Sequence, residues 1–129
     1  MSRVYLLDSH VVVWAMRDPE RLSRKAHRLC EDSATKRVIS AAALWELAIK
    51  ASIGAITIRD AGVTLAAWVA TLDARVLPVE ASHAYAMYGL PMLHKDPFDR
   101  MMVAQAKLED MVLVTNDERI HQYDVKWIW

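Results

Sequence analysis

Cysteine is nearly absent from this sequence, since Cys30 is the only one among 129 residues. A single cysteine excludes an intramolecular disulfide and favours a reducing compartment such as the cytoplasm. Net charge is also missing, because 16 Lys and Arg balance 16 Asp and Glu. A neutral chain is not a general nucleic-acid coat, since nonspecific binding depends on surplus cationic charge. A local basic patch around an acidic centre remains compatible with nucleic-acid binding.

Long hydrophobic runs are missing as well. No apolar run approaches the length that spans a membrane, and the chain reaches Asp8 too early for a signal peptide. The sequence has no internal repeat, low-complexity tract or linker. A content of 54% hydrophobic and 25% charged residues is typical of a globular protein. We therefore expect a single domain over residues 1–129, located in the cytoplasm and without membrane contact.

Short apolar segments alternate with segments of helical periodicity. We predict strands at 4–7, 37–40, 75–79, 111–115 and 124–129, and helices at 11–16, from Ser23, and at 41–52, 63–72, 80–88 and 97–110. In the helix at 41–52 the apolar residues are Leu44, Trp45, Ala48 and Ile49. This alternation predicts an α/β domain with a parallel sheet.

The segment 94–106 is typical of a loop that becomes a helix. Pro97 suits the first helical turn, where its missing N–H costs nothing, and Asp96 is placed to cap that turn. Apolar residues then recur at helical spacing, which indicates one buried face. Asp99 falls in the first turn, where the helix dipole favours a carboxylate by about 0.5 kcal/mol.

Four acids occupy matching positions in this pattern. Asp8 closes the first strand, Asp117 follows the fourth, Asp99 opens the helix before the fourth, and Glu46 lies in the helix after the second. If the second and fourth strands flank the first, we expect all four carboxylates to converge at the carboxyl edge of the sheet, where such sheets bind ligands. Each acid also has an ordinary explanation. Asp8 would cap a helix or form a turn, and Asp99 and Asp117 would be first-turn acids favoured by the helix dipole. Glu46 would pair with Lys50 four residues later, an interaction worth about 0.3 kcal/mol.

Convergence of four carboxylates requires protons or a cation. Two like charges about 4 Å apart repel by about 4 kcal/mol at an effective dielectric of 20, and several such pairs would rival a domain's stability of ~5–15 kcal/mol. Oxygen ligands suit Mg²⁺ or Mn²⁺ rather than zinc, and such an ion suits phosphodiester hydrolysis. Ser9 and Thr115 are candidates to orient a water or a carboxylate, and they are equally well explained as caps of the following turns.

Four segments together resemble the PIN-domain ribonucleases, specifically the VapC-type toxins of type II toxin–antitoxin pairs. The segments are LLDSH at 6–10, SAAALWELAIK at 40–50, HKDPFDR at 94–100 with AQA at 104–106, and VTND at 114–117. The resemblance covers essentially the full length. It departs at Ser9, where many relatives have Thr, and at Ala43, where many have Ser.

The resemblance implies a three-layer α/β/α domain with a parallel sheet of about five short strands. It also implies Mg²⁺- or Mn²⁺-dependent endonuclease activity on RNA, with the site formed by Asp8, Glu46, Asp99 and Asp117. An antitoxin is the implied protein partner, and we expect a homodimer as well. Asp96 is interpreted as a capping acid, or one behind the metal ligands, and not as a ligand.

Basic and aromatic residues near these segments carry weaker hypotheses. Arg100, Lys95 and Lys50 are candidate phosphate contacts, although Arg100 is also explained as a partner that only neutralises Asp96 or Asp99. His10 and His94 flank acids and are either phosphate donors or ordinary satisfied histidines. We expect the five tryptophans to lie mostly in the core, and some of the Trp and Met residues to line an apolar groove for the antitoxin. The tryptophans are Trp14, Trp45, Trp68, Trp127 and Trp129.

Two alternatives to a nuclease remain open. A receiver-like module would accept a phosphoryl group on Asp8, but it would need adjacent acids after the first strand and a lysine after the last. Here Ser9 follows Asp8, and Lys126 lies inside the predicted final strand. The other alternative is a metal-binding interaction protein that has lost activity, and the presence of all four acids argues against such a loss.

Overall fold

The computed structural model describes residues 3–129, which form one five-stranded parallel sheet and the helices around it. The strands are β1 (Val4–Leu7), β2 (Lys36–Ser40), β3 (Ala74–Leu77), β4 (Val112–Val114) and β5 (Trp127–Ile128). The helices are α1 (Ser9–Arg17), α2 (Arg24–Glu31), α3 (Ala41–Ser52), α4 (Ala61–Thr71), α5 (Ala81–Ala86), α6 (Pro97–Leu108) and α7 (Glu118–His121). Short 3₁₀ turns lie at Pro19–Arg21 and Met87–Gly89. Across these residues, no helix is both long and apolar enough to cross a membrane.

The order of the strands across the sheet is β3-β2-β1-β4-β5. The chain moves from β1 outward to β3 and then returns to the other side of β1 as β4. Because parallel crossovers are right-handed, this reversal places helices on both faces of the sheet. The predicted three-layer α/β/α architecture is confirmed. The point where the order reverses lies between β1 and β4, and in such sheets a crevice opens there beyond the carboxyl ends of the strands.

The central strands are buried because helices cover both of their faces. Leu6 and Leu7 of β1 and Leu113 and Val114 of β4 are fully buried, as expected for the inner strands of a parallel sheet. Leu7 pairs with Val114 in the register of the two strands. This register brings the residues that follow β1 and β4 side by side at the edge of the crevice.

The predicted caps Asp96 and Ser23 are confirmed, and Ser40 is a third cap that the sequence did not indicate. The Asp96 carboxylate accepts hydrogen bonds from the backbone N–H groups of Phe98 and Asp99, at 2.9 and 3.1 Å, and Pro97 is the first residue of α6. The Ser40 hydroxyl accepts from the Ala42 N–H at 3.0 Å and begins α3 directly at the end of β2. Ser23 caps α2 in the same way. These caps satisfy N–H groups that a helix end otherwise leaves unpaired.

Three strand predictions were too long, and the one at 111–115 contains only Val112–Val114. The final strand was predicted at 124–129 but contains only Trp127 and Ile128, because a turn, with the Val125 N–H bonded to the Tyr123 carbonyl at 2.9 Å, occupies the preceding residues. The third strand ends at Leu77. Pro78 follows it, and proline has no N–H to continue a ladder.

Most of the tryptophans lie in or against the core, as predicted. Trp68 is buried, and Trp14 and Trp129 are half-buried against the core. Trp45 and Trp127 are instead 63% and 44% exposed. Trp127 stacks on the His121 ring at a centroid distance of 3.4 Å, whereas Trp45 meets the edge of Phe98 at 5.2 Å.

Candidate active site

Asp8 leaves the end of β1 and is turned into the crevice. It occupies the cap position of α1, yet its side chain makes no capping hydrogen bond. Its carboxylate is almost completely buried, and it accepts a hydrogen bond from the Thr115 hydroxyl at 2.8 Å. The Ser9 hydroxyl makes a longer contact with the other carboxylate oxygen, at 3.4 Å. Asp8 is therefore held by residues of the crevice instead of stabilising its own helix.

Thr115 joins two of the four acids across the sheet. Its hydroxyl donates to Asp8 and accepts from the backbone N–H of Asp117 at 3.0 Å. The two explanations offered for Thr115, orientation of a carboxylate and capping of the next turn, thus describe the same hydroxyl. This bridge depends on the pairing of β1 with β4, because Thr115 follows β4 immediately.

Glu46 lies on the buried side of α3. That side is formed by Ala42, Ala43, Glu46 and Leu47, whereas the apolar residues of the predicted helix, Leu44, Trp45, Ala48 and Ile49, are half-buried or exposed. The Lys50 ammonium lies 3.0 Å from Oε2 of Glu46. The other oxygen, Oε1, is buried and has no hydrogen-bond partner within the described residues. A buried carboxylate oxygen without a partner is costly and indicates a site that expects a ligand.

Asp99 lies in the first turn of α6 and is 5% exposed. One of its oxygens, Oδ2, is 3.1 Å from Nε2 of His94. The other ring nitrogen of His94 is 2.8 Å from the Tyr123 hydroxyl. His94 is therefore a satisfied partner of Asp99 in this arrangement.

Asp117 is held by Arg119, a residue that the sequence did not single out. The carboxylate accepts from the backbone N–H of Arg119 at 2.9 Å and from its guanidinium at 3.1 and 3.0 Å. The Arg119 side chain is 60% exposed, so this ion pair lies at the surface and is not buried. A basic residue two positions after an acid carries no recognisable local signal, because only the tight turn into α7 brings the two together.

The electrostatics of the acids reflect their shared location. Burial above all, followed by the negative charges of Asp8, Asp96, Glu46 and Asp117, raises the pKa of Asp99 to about 8. Burial also raises the pKa of Asp8, while the Thr115 hydrogen bond opposes that rise and the charges of Glu46 and Asp117 add to it. The acids therefore lie close enough to repel one another, as the sequence pattern predicted.

Asp117 shows the opposite behaviour. Partial burial acts to raise its pKa, but the hydrogen bonds and charge of Arg119 outweigh burial and hold the pKa below its usual value. The site therefore combines a carboxyl group that is protonated near neutral pH with one that is readily ionised. Such separated pKa values are typical of functional sites.

The four acids do not form a ready-made metal site. Among residues 3–129, no group of three or more His, Cys, Asp or Glu side chains is arranged to hold a metal ion as it stands. Each acid is engaged elsewhere: Asp8 with Thr115, Glu46 with Lys50, Asp99 with His94, and Asp117 with Arg119. The donors themselves fit a hard cation, because all are carboxylates and one buried oxygen lacks a partner. Side-chain rotation would have to precede direct coordination by three acids.

Arg100 does not neutralise Asp96 or Asp99, contrary to the second of its two explanations. It is buried, and its guanidinium donates to the carbonyl oxygens of Leu90 and Pro91 at 3.3 and 2.8 Å and to the Tyr123 hydroxyl at 2.9 Å. These contacts also turn its donors away from a phosphate in the crevice. Lys95 and His10 are exposed, and His10 stacks on Trp14.

An apolar groove lies between α3 and α6. It has a volume of about 440 Å³ and is lined by Ala41, Ala42, Trp45, Val79, Met87, Pro97, Phe98 and Met101. Trp45 and Phe98, which line the groove, immediately precede Glu46 and Asp99 in the chain. This groove accounts for the exposure of Trp45.

Comparisons with known proteins agree with the fold. The PIN domain family model matches residues 5–126. Ribonuclease VapC22 of Mycobacterium tuberculosis is 31% identical over 121 residues, which are 92% of this chain and 90% of the relative.

Two solved structures are similar over nearly their whole length. The structure of VapBC2 from Rickettsia felis, bound to a DNA fragment from its promoter, gives a TM-score of 0.73 at 16% identity, with 97% of each chain covered. VapBC-1 from nontypeable Haemophilus influenzae gives a TM-score of 0.69 at 19% identity, with 97% of this chain and 96% of the other covered. At these identities the likeness concerns the fold.

Proposed function

The chain belongs to the PIN-domain family, and we propose that it is a metal-dependent endoribonuclease acting as the toxin of a toxin–antitoxin pair. The observation that carries this proposal is the set of four carboxylates at the switch point of the sheet, with the pKa of Asp99 raised to about 8. Mutual repulsion of this kind is relieved by a divalent cation. The similarity to a VapC ribonuclease supports RNA as the substrate.

Asp8, Glu46, Asp99 and Asp117 would hold Mg²⁺ or Mn²⁺ in this proposal. When bound, the ion supplies charge neutralisation at the phosphate and a lower pKa for its water. The chain's own residues prepare the site. Thr115 fixes the orientation of Asp8, and the crevice walls keep Asp8 and Asp99 out of bulk water. Deprotonation of Asp99 accompanies occupancy, because a cation favours the charged form.

Lys50 and Arg119 are the proposed phosphate contacts. Both pair with site acids, at 3.0 Å each, and both are partly exposed at the mouth of the crevice. When a cation takes over the charge of Glu46 and Asp117, these two side chains become available to the negatively charged backbone of RNA. This role replaces the one considered for Arg100.

The receiver-like alternative loses support from the position of Lys126. Its ammonium pairs with Asp110 at 2.8 Å. Asp110 precedes β4, so this pair lies at the end of the sheet opposite to Asp8. A lysine there is out of reach of a phosphoryl group on Asp8.

The antitoxin is the proposed protein partner, and the apolar groove next to Trp45 is its proposed contact. Support comes from the similar VapBC structures and from the exposure of Trp45, which leaves a large aromatic surface unburied. Expression of this chain alone should arrest bacterial growth, and co-expression with the product of a small neighbouring open reading frame should relieve that arrest. Trp45→Ser should weaken that complex and leave metal binding intact.

RNA cleavage by the purified protein tests the activity. We expect cleavage of single-stranded RNA in Mg²⁺ or Mn²⁺, none in EDTA, and none by Asp8→Asn or Asp99→Asn. Asp124→Asn makes the same substitution at an exposed acid and should retain activity. Full activity in EDTA, or in Asp99→Asn, contradicts the mechanism. Mapping cleavage sites in total RNA after brief expression would identify the target.

A further inference from the structure

A chain of buried hydrogen bonds leads away from Asp99. It runs from the Arg100 guanidinium to the Tyr123 hydroxyl at 2.9 Å, from that hydroxyl to Nδ1 of His94 at 2.8 Å, and from Nε2 of His94 to Asp99 at 3.1 Å. Tyr123 and Arg100 are 4% and 6% exposed. Neither residue touches the other three acids, so the mechanism above does not use them.

Counting donors and acceptors sets the direction of each bond. A tyrosine hydroxyl has one hydrogen and two lone pairs, and an arginine can only donate. Arg100 therefore takes one lone pair of the Tyr123 oxygen, and the backbone N–H of His94 takes the second at 3.3 Å. The hydroxyl hydrogen is left to be donated to Nδ1 of His94.

The tautomer of His94 follows from the directions of these hydrogen bonds. When Nδ1 accepts, the hydrogen of the neutral ring lies on Nε2, the nitrogen that faces Asp99. Within residues 3–129 this is the only hydrogen bond of the Asp99 carboxylate. It binds Oδ2 and leaves Oδ1 available to a ligand in the crevice.

We propose that Tyr123 and Arg100 are positioning residues that hold the His94 ring as an Nε2–H donor and thereby fix the orientation of the Asp99 carboxylate. Arg100 also donates to the carbonyls of Leu90 and Pro91, so it anchors the loop that carries His94. The inference rests on the proposed function for its purpose, since an oriented Asp99 serves a bound cation. Partners behind a ligand commonly change metal affinity by 10–100-fold.

The wild-type protein provides the first test. Nitrogen-15 NMR at pH 8 distinguishes the two neutral tautomers and the doubly protonated ring, and the His94→Gln spectrum assigns the signal. We expect the Nε2–H form for His94. The Nδ1–H form or a doubly protonated ring overturns the proposal. This measurement needs no other variant, so it remains decisive if Tyr123→Phe fails to fold.

A double-mutant cycle provides the second test, with Mn²⁺ affinity measured by electron paramagnetic resonance. Tyr123→Phe should weaken Mn²⁺ binding by about tenfold and shift the His94 nitrogen signals. His94→Gln supplies an amide donor that needs no tautomer, so Tyr123→Phe should leave affinity unchanged in that background. An equal loss in both backgrounds would show a general structural role for Tyr123 and overturn the proposal.

Tyr88→Phe is the matched control, because it removes the same hydroxyl from a side chain that is 98% exposed. It should change neither the His94 signals nor the Mn²⁺ affinity. Neither readout depends on RNA. If the wild type bound Mn²⁺ as expected but cleaved no RNA, the proposed function would fail and the positioning role would stand. If it cleaved RNA but showed the Nδ1–H tautomer of His94, the positioning role would fail and the proposed function would stand.

Discussion

Asp99→Asn should stabilise the metal-free protein at neutral pH while abolishing its activity. The pKa of Asp99 is about 8 in the folded protein, against an ordinary value of 3.8. Between these values the folded state keeps a proton that the unfolded state has lost. The folded state binds more protons, so the free energy of unfolding of the wild type falls as pH rises through this window. Asparagine is neutral at every pH and removes this dependence.

The magnitude follows from the linkage relation. One proton of difference changes the free energy of unfolding by about 1.4 kcal/mol per pH unit. Between pH 5 and pH 7 the advantage of Asp99→Asn over the wild type should therefore grow by roughly 2–3 kcal/mol. The carboxyl group is 5% exposed, so solvent screening removes little of this effect. An advantage of about 1.6 kcal/mol is already present at pH 5, and it vanishes only below the ordinary pKa of 3.8, where the carboxyl group is protonated in both states.

Urea unfolding in EDTA at pH 5, 6 and 7 measures this growth. Asp124→Asn controls for the loss of a carboxyl group at an exposed position and should follow the wild type within about 0.5 kcal/mol. A difference that stays constant with pH, or a wild type that gains on the variant as pH rises, refutes the argument that burial and neighbouring charges destabilise the ionised Asp99.

Added Mg²⁺ should narrow the difference in stability. A ligand that binds only the folded state stabilises it by about 2.7 kcal/mol at a hundred times its dissociation constant. The wild type should gain this stabilisation, whereas Asp99→Asn should gain less, because it lacks one of the proposed ligands. Equal gains for both proteins would contradict a role for Asp99 in holding the ion and would leave the pH argument unaffected.

Two further predictions concern buried groups. Thr115→Val removes the hydroxyl that joins Asp8 and Asp117. It should cost about 1–3 kcal/mol of stability in urea unfolding and abolish most RNA cleavage. Thr115→Ser keeps the hydroxyl and should retain both stability and cleavage. Burial raises the pKa of Cys30 to about 11, so only about one thiol in a thousand is ionised at pH 8. A disulfide reagent should react slowly with the folded protein and rapidly in guanidinium, and equal rates would contradict that environment.

The positions of Asp8, Asp99 and Asp117 were predictable because each stands at the end of a locally recognisable element. Asp8 ends an apolar run, and Asp99 follows the Asp96–Pro97 helix start that the structure confirms. The buried side of α3 was less evident, because Glu46 is buried where an amphipathic pattern would place an apolar residue. On the opposite side of α3, Trp45 is exposed where the same pattern would place a polar residue. Helical periodicity reports an apolar face only when the core, and not a charged site, receives that face.

The partners of the acids divide into those near in sequence and those brought by the fold. Lys50 lies four residues from Glu46, and that pair was predicted as one explanation of Glu46. The Arg100–Tyr123 contact spans 23 residues, and it gives Arg100 a role that its position beside Asp99 did not indicate. A helix turns by about 100° per residue, so neighbours in sequence point in different directions.

The bond between Asp8 and Thr115 spans 107 residues and has no local signature. It exists because β1 and β4 pair in parallel with Leu7 opposite Val114, which places the next residue of each strand at the same height. A shift of that pairing by one residue would turn every side chain of one strand to the other face of the sheet. The four acids would then all remain in the sequence, but Asp8 would lose its donor and its place in the crevice. The site therefore depends on the strand register as much as on the carboxylates themselves.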